Sequence, residues 1–189
     1  MRIISGKYKN KKLLFSKNLE TRPLKDSVRE NIFNILAHSS KIKIDVKNSN
    51  ILDLYSGTGS FGLECLSREA SKVFFIESNK DALLYLNRNI KNLDSEKKTL
   101  LLPQDVFKFL KNFDLKTYKY KFDIIFLDPP YKKGCFETIE ILKKNNITNE
   151  NHIIIIHREI NSGDEIEKQL NILENRIYGR SEIFFAKFF

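Results

Sequence analysis

An α/β fold is predicted, with a mainly parallel sheet covered by helices on both faces and an antiparallel strand pair at the C-terminus. Three observations carry it. From residue 51 onward short apolar runs alternate with helical periodicities, the order that builds a parallel sheet with helical crossovers. A glycine-rich turn, Ser56-Gly57-Thr58-Gly59-Ser60, follows the first of these runs and opens a helix. The run Phe122-Asp123-Ile124-Ile125-Phe126-Leu127 stops at Asp128-Pro129-Pro130-Tyr131, as a buried strand ended by two residues that cannot donate to a ladder.

Residues 2–15 alternate loosely around a Ser5-Gly6 turn signal and predict a short hairpin. Thr21-Arg22-Pro23 is a break. Asp26 or Ser27 can then cap a helix with Val28, Ile32, Phe33, Ile35 and Leu36 on one apolar face and with Arg29 and Glu30 off it. Residues 39–50 are polar and read as a linker. The chain thus divides into a hairpin-and-helix extension over 1–40 and a principal domain over 41–189. In that domain strands are predicted at 51–55, 72–76, 100–102, 122–127 and 153–156. Helices are predicted at 61–67, 81–92, 106–113, 137–144 and 166–173. In the helix over 81–92, Leu84, Tyr85, Leu86 and Ile90 are available for burial. Two closing strands fall near 176–178 and 183–189.

The 189 residues suffice for one such domain with a full core. No apolar stretch approaches the roughly 20 residues that span a bilayer, and the N-terminus lacks the apolar core of a signal peptide. The expected location is the cytoplasm. Cys65 and Cys135 stand alone, without Cys or His neighbours at ligand spacing, which predicts reduced structural thiols and no metal site. His38, His152 and His157 form no ligand pattern, and none is read as catalytic. The net charge of +9 is concentrated at one end: residues 1–50 hold twelve Lys and Arg against four Asp and Glu, while the remainder is nearly balanced. Arg2, Lys7, Lys9, Lys11 and Lys12 precede the first acidic residue, Glu20. A basic arm on a near-neutral body favours a polyanionic partner over a merely solvated lysine face.

The chemistry is predicted at the strand ends, where open α/β sheets bind ligands. Asp128 and a proline carbonyl can accept both N–H bonds of a planar exocyclic amine while Tyr131 stacks on its ring. Taken alone, these four residues are equally suited to a rigid loop. The turn after Asp53 lacks the Gly-Lys-Ser/Thr of a phosphate-binding loop, and Gly57, Gly59 and Gly62 make only a weak dinucleotide fingerprint. Glu77 ends the second strand, in position for both hydroxyls of a ribose, and Asp105 follows the third. Three acids at successive strand ends suit a nucleoside that carries positive charge and no phosphate, and S-adenosylmethionine is such a ligand.

The order of these motifs resembles the class I methyltransferases of the amine-methylating, Asn/Asp-Pro-Pro-aromatic type. The whole chain is similar to the small bacterial 16S ribosomal RNA guanine-N2 methyltransferases. The likeness is carried by Arg2-Ile3-Ile4-Ser5-Gly6-Lys7, Thr21-Arg22-Pro23, Val28-Arg29-Glu30-Asn31-Ile32-Phe33, the stretch from Leu52 to Glu64, the stretch from Phe122 to Tyr131, and Tyr178-Gly179. The resemblance implies a Rossmann-like methyltransferase fold, S-adenosylmethionine as cofactor, and 16S ribosomal RNA as substrate within an assembled or assembling 30S subunit. It also implies a monomer that needs neither metal nor membrane. The site residues are then Asp128, Pro129, Pro130 and Tyr131 for catalysis, and Asp53, Tyr55, Gly57, Gly59, Glu77, Ser78, Asp105 and Val106 for the cofactor. Arg2, Lys7, Lys9, Lys11, Lys12, Arg22 and Arg29 are the candidate RNA contacts. Pairing of Arg22 and Arg29 with Glu20 or Glu30 is an equally open reading. Two departures stand out: Tyr131 where the family often has Phe, and His157-Arg158-Glu159 where an acidic or small polar residue is expected first. The rival functions are a DNA adenine-N6 methyltransferase, a protein-glutamine methyltransferase and a non-catalytic RNA-binding module on the same fold.

Overall fold

The computed structural model describes residues 1–15, 24–130 and 134–189; Thr21-Arg22-Pro23 and Tyr131 lie outside the described residues. Its centre is a seven-stranded sheet built from β1 (Asn50–Leu54), β2 (Lys72–Glu77), β3 (Thr99–Pro103), β4 (Phe122–Leu127), β5 (Thr148–Glu159), β6 (Asn171–Tyr178) and β7 (Ser181–Lys187). The spatial order is β3-β2-β1-β4-β5-β7-β6. The first five strands are parallel, and β7 runs antiparallel to both β5 and β6. The predicted fold class is therefore the observed one, including the closing pair.

Alternate residues of the strands feed two apolar clusters. Ile51, Val73, Phe75, Ile124, Phe126, Ile153, Ile155, Ile183 and Phe185 belong to one. Leu52, Leu54, Phe74, Ile76, Ile125, Leu127, Ile154, Ile156 and Phe184 belong to the other. Burial on both faces explains the uninterrupted apolar runs. Helices α1 (Asp26–His38), α2 (Ser60–Ser67) and α3 (Lys80–Asn92) contribute to the first cluster, and α4 (Val106–Lys111) and α6 (Phe136–Lys144) to the second. Phe33 of α1, Phe61 of α2 and Phe126 of β4 stack in sequence, with ring centroids 5.3 and 4.1 Å apart. Ile3, Leu13 and the α1 residues thus share one core with the sheet.

The predicted hairpin exists in reduced form, as a single antiparallel bridge between Arg2 and Lys12 supported by Ile3 N–H to the Lys11 carbonyl at 2.9 Å. Several expectations are corrected. Neither Asp26 nor Ser27 caps α1: Lys25 holds the cap position and Asp26 lies inside the first turn, where its charge meets the helix dipole and Arg29 at 3.0 Å. Leu84 is 58% exposed, and α3 instead buries Ala82, Leu86, Asn89 and Ile90. The helix predicted over 106–113 ends at Lys111, and a short helix α5 (Leu115–Tyr118) follows, capped by Asp114. The helix predicted over 166–173 is a 3₁₀ turn, Ile166–Lys168, that leads into β6. Ile166 and Leu170 are buried in either geometry, so their spacing did not discriminate between them.

Candidate active site

The strand order reverses between β1 and β4, and it is at the carboxyl ends of strands at such a switch point that open α/β sheets bind ligands. Asp53 is the last but one residue of β1 and Asp128 follows β4, with Leu54 and Leu127 in register. Asp53 is 1% exposed and accepts the Gly62 N–H at 3.0 Å. Burial pushes its carboxyl well above the usual carboxylate range; the Gly62 N–H opposes this, and the charges of Asp128 and Glu77 add to it. Asp128 and Glu77 therefore lie near enough to act on one buried carboxyl.

The turn between Asp53 and α2 has an unusual backbone. Tyr55 has φ +58°, a left-handed conformation uncommon for an aromatic residue, and its hydroxyl lies 3.4 Å from that of Thr138. Burial raises the Tyr55 pKa. Gly59 has φ +84°, and a Cβ there would lie 2.4 Å from Leu86 Cδ1. At Gly57, also at positive φ, a Cβ would meet nothing within 4 Å, so that residue borders open space.

Glu77 locks this turn to the end of β2. Its Oε2 accepts the Gly57 N–H at 2.7 Å, and its Oε1 accepts the N–H groups of Ser78 and Asn79 at 2.8 and 2.7 Å. A carboxylate has about four acceptor positions. One remains for a ribose hydroxyl while these bonds stand, rather than the two expected. Asp105 caps α4, accepting from Phe107 and Lys108 at 2.9 and 3.2 Å, and Val106 is the buried first residue of that helix.

Asp128 is partly exposed, Pro129 is buried and Pro130 is exposed. His157 Nδ1 lies 2.8 Å from Asp128 Oδ1, and its Nε2 lies 3.0 Å from Ser181 Oγ. Arg158 donates from Nη1 to the Pro129 carbonyl at 3.3 Å. The sequence marked His157-Arg158 as a departure after the β5 apolar run but assigned neither residue a role.

The N-terminal arm is lashed to the same scaffold. Glu64, 0% exposed, accepts the Ile4 and Ser5 N–H groups at 2.7 and 3.0 Å. Lys7 N–H reaches the Ser67 carbonyl at 2.7 Å. At the other end, Asn89 accepts the Leu14 N–H at 2.7 Å and donates to the Leu14 and Thr58 carbonyls at 3.0 and 3.1 Å. Arg2, Lys7, Lys9, Lys11 and Lys12 are exposed along this arm. Arg29 is not available to a phosphate: it is 0% exposed, donates to Asp26 at 3.0 Å and to the Arg2 carbonyl, and lies 3.9 Å from Glu64. Arg22 lies outside the described residues.

Among the described residues no three His, Cys, Asp or Glu side chains are grouped to hold a metal, and no helix is long and apolar enough to cross a membrane. Cys65 and Cys135 are free and buried, and burial raises both thiols, that of Cys135 to about 12. This is the environment of inert thiols.

The strand order, the acidic switch point and the glycine turn define a Rossmann-like class I methyltransferase fold. A putative methyltransferase of Escherichia coli, solved as a structure, is similar over 100% of this chain and 97% of its own, with TM-score 0.83 and 26% identity. The chain belongs to the family described as conserved hypothetical protein 95, which matches residues 1–187. Two relatives are both named ribosomal RNA small subunit methyltransferase D. That of Buchnera aphidicola subsp. Baizongia pistaciae is 35% identical, covering 84% of this chain and 76% of the relative. That of Haemophilus influenzae is 34% identical, covering 84% and 79%.

Proposed function

We propose that this protein transfers a methyl group from S-adenosylmethionine to the exocyclic N2 amine of a guanine in 16S ribosomal RNA of the small subunit. The observation that carries the reading is the buried Asp53 acid at the β1/β4 switch point, on which the carboxylates of both Asp128 and Glu77 act. The residues fit the cofactor. A cation beside Asp53 would favour its ionised form, Gly57 borders open space, and no phosphate would have to meet the acids. The named relatives support the ribosomal RNA substrate.

Bound S-adenosylmethionine supplies an electrophilic methyl group, whose C–S bond breaks as a nitrogen lone pair forms the new N–C bond. Asp128 Oδ2 accepts one N–H of the amine, and Oδ1 is held by His157. The Pro129 carbonyl accepts the second N–H through the lone pair that Arg158 leaves free. These bonds turn the nitrogen lone pair toward the methyl carbon, and Tyr131 fixes the plane of the base. Such orientation is worth on the order of 7–11 kcal/mol in well-placed reactants. After transfer the nitrogen is acidic, and Asp128 receives its proton. The base must be unstacked to reach this site. The protein works as a monomer, in the cytoplasm, on an assembled or assembling 30S subunit.

The deciding experiment incubates small subunits from cells lacking the protein with labelled cofactor and maps the modified nucleotide. Label at a guanine N2 is expected; label on DNA adenine instead would overturn the reading. Glu77→Ala is expected to weaken S-adenosylmethionine binding about 10- to 100-fold, the worth of a hydrogen bond to a charged group. Calorimetry giving an unchanged Kd would reject the ribose assignment.

The basic arm follows α2 along about 12 Å, the rise of its eight residues. It is suited to backbone phosphates rather than to the reacting base. Replacing Lys7, Lys9, Lys11 and Lys12 with Gln should weaken RNA binding and flatten the salt dependence by about 0.7 per lost contact on a single strand. If the slope of affinity against salt is unaltered, the arm does not touch phosphates.

A further inference from the structure

We propose that His157 and Arg158, consecutive residues near the carboxyl end of β5, are positioning residues for the two acceptors of the amine clamp: His157 for the Asp128 carboxylate, Arg158 for the Pro129 carbonyl. This rests on the clamp reading above and extends it to residues that make no contact with the base.

The imidazole of His157 is fixed at both nitrogens, 2.8 Å from Asp128 Oδ1 and 3.0 Å from Ser181 Oγ, and only 6% exposed. With Asp128 ionised, Nδ1 donates and Nε2 accepts the Ser181 hydroxyl proton. The ring cannot turn without losing both bonds. Asp128 is thereby held with Oδ1 occupied, and among the described residues Oδ2 has no hydrogen-bond partner. A carboxylate attached through two rotatable bonds to a strand end would otherwise sample several orientations, and misplacement by about 1 Å can cost about 100-fold in rate. Ser181 is the first residue of β7, so the antiparallel pair that closes the sheet also supplies the outer support of the site.

Arg158 is 1% exposed and bound on two sides. Its Nη1 reaches the Pro129 carbonyl, and its Nε meets Asp164 Oδ2. Asp164 Oδ1 in turn accepts the Cys135 N–H at 3.0 Å. One Arg–Asp pair therefore holds the backbone on both sides of residues 131–133. Burial alone would raise the Asp164 carboxyl, but the Cys135 N–H and the Arg158 charge hold it below the usual carboxylate range. Both Asp164 oxygens are thus engaged, one by Arg158 and one by the Cys135 N–H. The planar guanidinium spans two acceptors in fixed directions, which a lysine cannot do.

The test is steady-state methylation of the same small subunits, with cofactor affinity measured separately by calorimetry. His157→Ala is expected to lower kcat about 10- to 100-fold while the cofactor Kd and subunit KM stay within about twofold. His157→Asn, whose amide N–H can replace the Nδ1 donor, should recover kcat to within about fivefold of the parent. Arg158→Lys should also lower kcat with cofactor Kd unchanged. The proposal is overturned if His157→Ala retains parental kcat, if Asn rescues no better than Ala in a folded variant, or if KM and Kd absorb the loss. Failure of the clamp reading looks different, because the parent protein itself would then place no label on a guanine amine.

Discussion

Asp128→Ala should lower methyl transfer about 10²- to 10⁴-fold, the range for a positioned group that handles a proton, while S-adenosylmethionine binds nearly as tightly as to the parent. The effect is expected to be large because the carboxylate has two roles in the proposed reaction: it orients the amine and receives its proton. The cofactor residues Asp53, Gly57, Gly59 and Glu77 have their own supports, the Gly62 N–H and the β2 end among them. Removing Asp128 also takes a negative charge away from Asp53, whose carboxyl it helps to raise. Cofactor affinity should therefore not fall. Single-turnover methylation and calorimetry on the same preparation read both quantities. Parental turnover, or loss of activity explained wholly by lost cofactor binding, would remove Asp128 from the reaction. Asp128→Asn is the informative companion: it keeps an acceptor oxygen for the amine but forfeits the charge, so its residual rate separates orientation from proton acceptance.

The parts of this fold that were legible in the sequence are those whose cause is local. β1, β2 and β4 are buried on both faces, and each reads as an apolar run whatever its partners are. The strand-end acids were legible because a polar residue closing such a run has few structural reasons to be there. β6 was not legible. It is an edge strand with most residues exposed or half-exposed, and its extended state comes from pairing with β7, while Ile166 and Leu170 imitate a helical face. Arg29 sits on an otherwise apolar helix face, and the acid that accompanies it there, Glu64, belongs to a different helix; no local pattern announces such a pair. His157 is 29 positions from Asp128. Only the parallel register of β4 and β5, with Leu127 opposite Ile156, brings the two together. The sequence suggests the proposed clamp but not the contacts of Asp128 and Pro129 with His157 and Arg158, because the clamp residues are contiguous in the chain and these partners are not.

Glu64→Ala should destabilise the protein by about 3 kcal/mol, the low end of the cost of breaking a buried ion pair, because Asp26 stays 3.0 Å from Arg29. Against a typical total of about 5–15 kcal/mol, that is a large effect for a single polar side chain. Arg29 and Glu64 are both fully buried, with 3.9 Å between Nε and Oε2. Burial pulls the Arg29 guanidinium's pKa down, and the charges of Asp26 and Glu64 push it back up. Among the described residues Nε and Nη1 of Arg29 have no hydrogen-bond partner, so Glu64 compensates that charge through space. The same carboxylate accepts the N–H groups of Ile4 and Ser5 and the Arg68 Nε–H. Alanine would leave two backbone donors and Arg68 to find other partners, and Arg29 with Asp26 alone to balance its charge among the described residues. Glu64→Gln should cost less, since its carbonyl oxygen still accepts one N–H while its amide is left to face the guanidinium. Urea unfolding of the two variants reads the difference directly. If Glu64→Ala lies within about 1 kcal/mol of the parent, less than the cost of one orphaned buried donor, the arm is held by its apolar residues, Ile3 and Leu13, and not by this carboxylate. If the loss is as large as expected, the basic arm and the cofactor turn are two ends of one helix with a buried acid tying the arm to it, and the RNA contacts are as rigidly placed as the chemistry they serve.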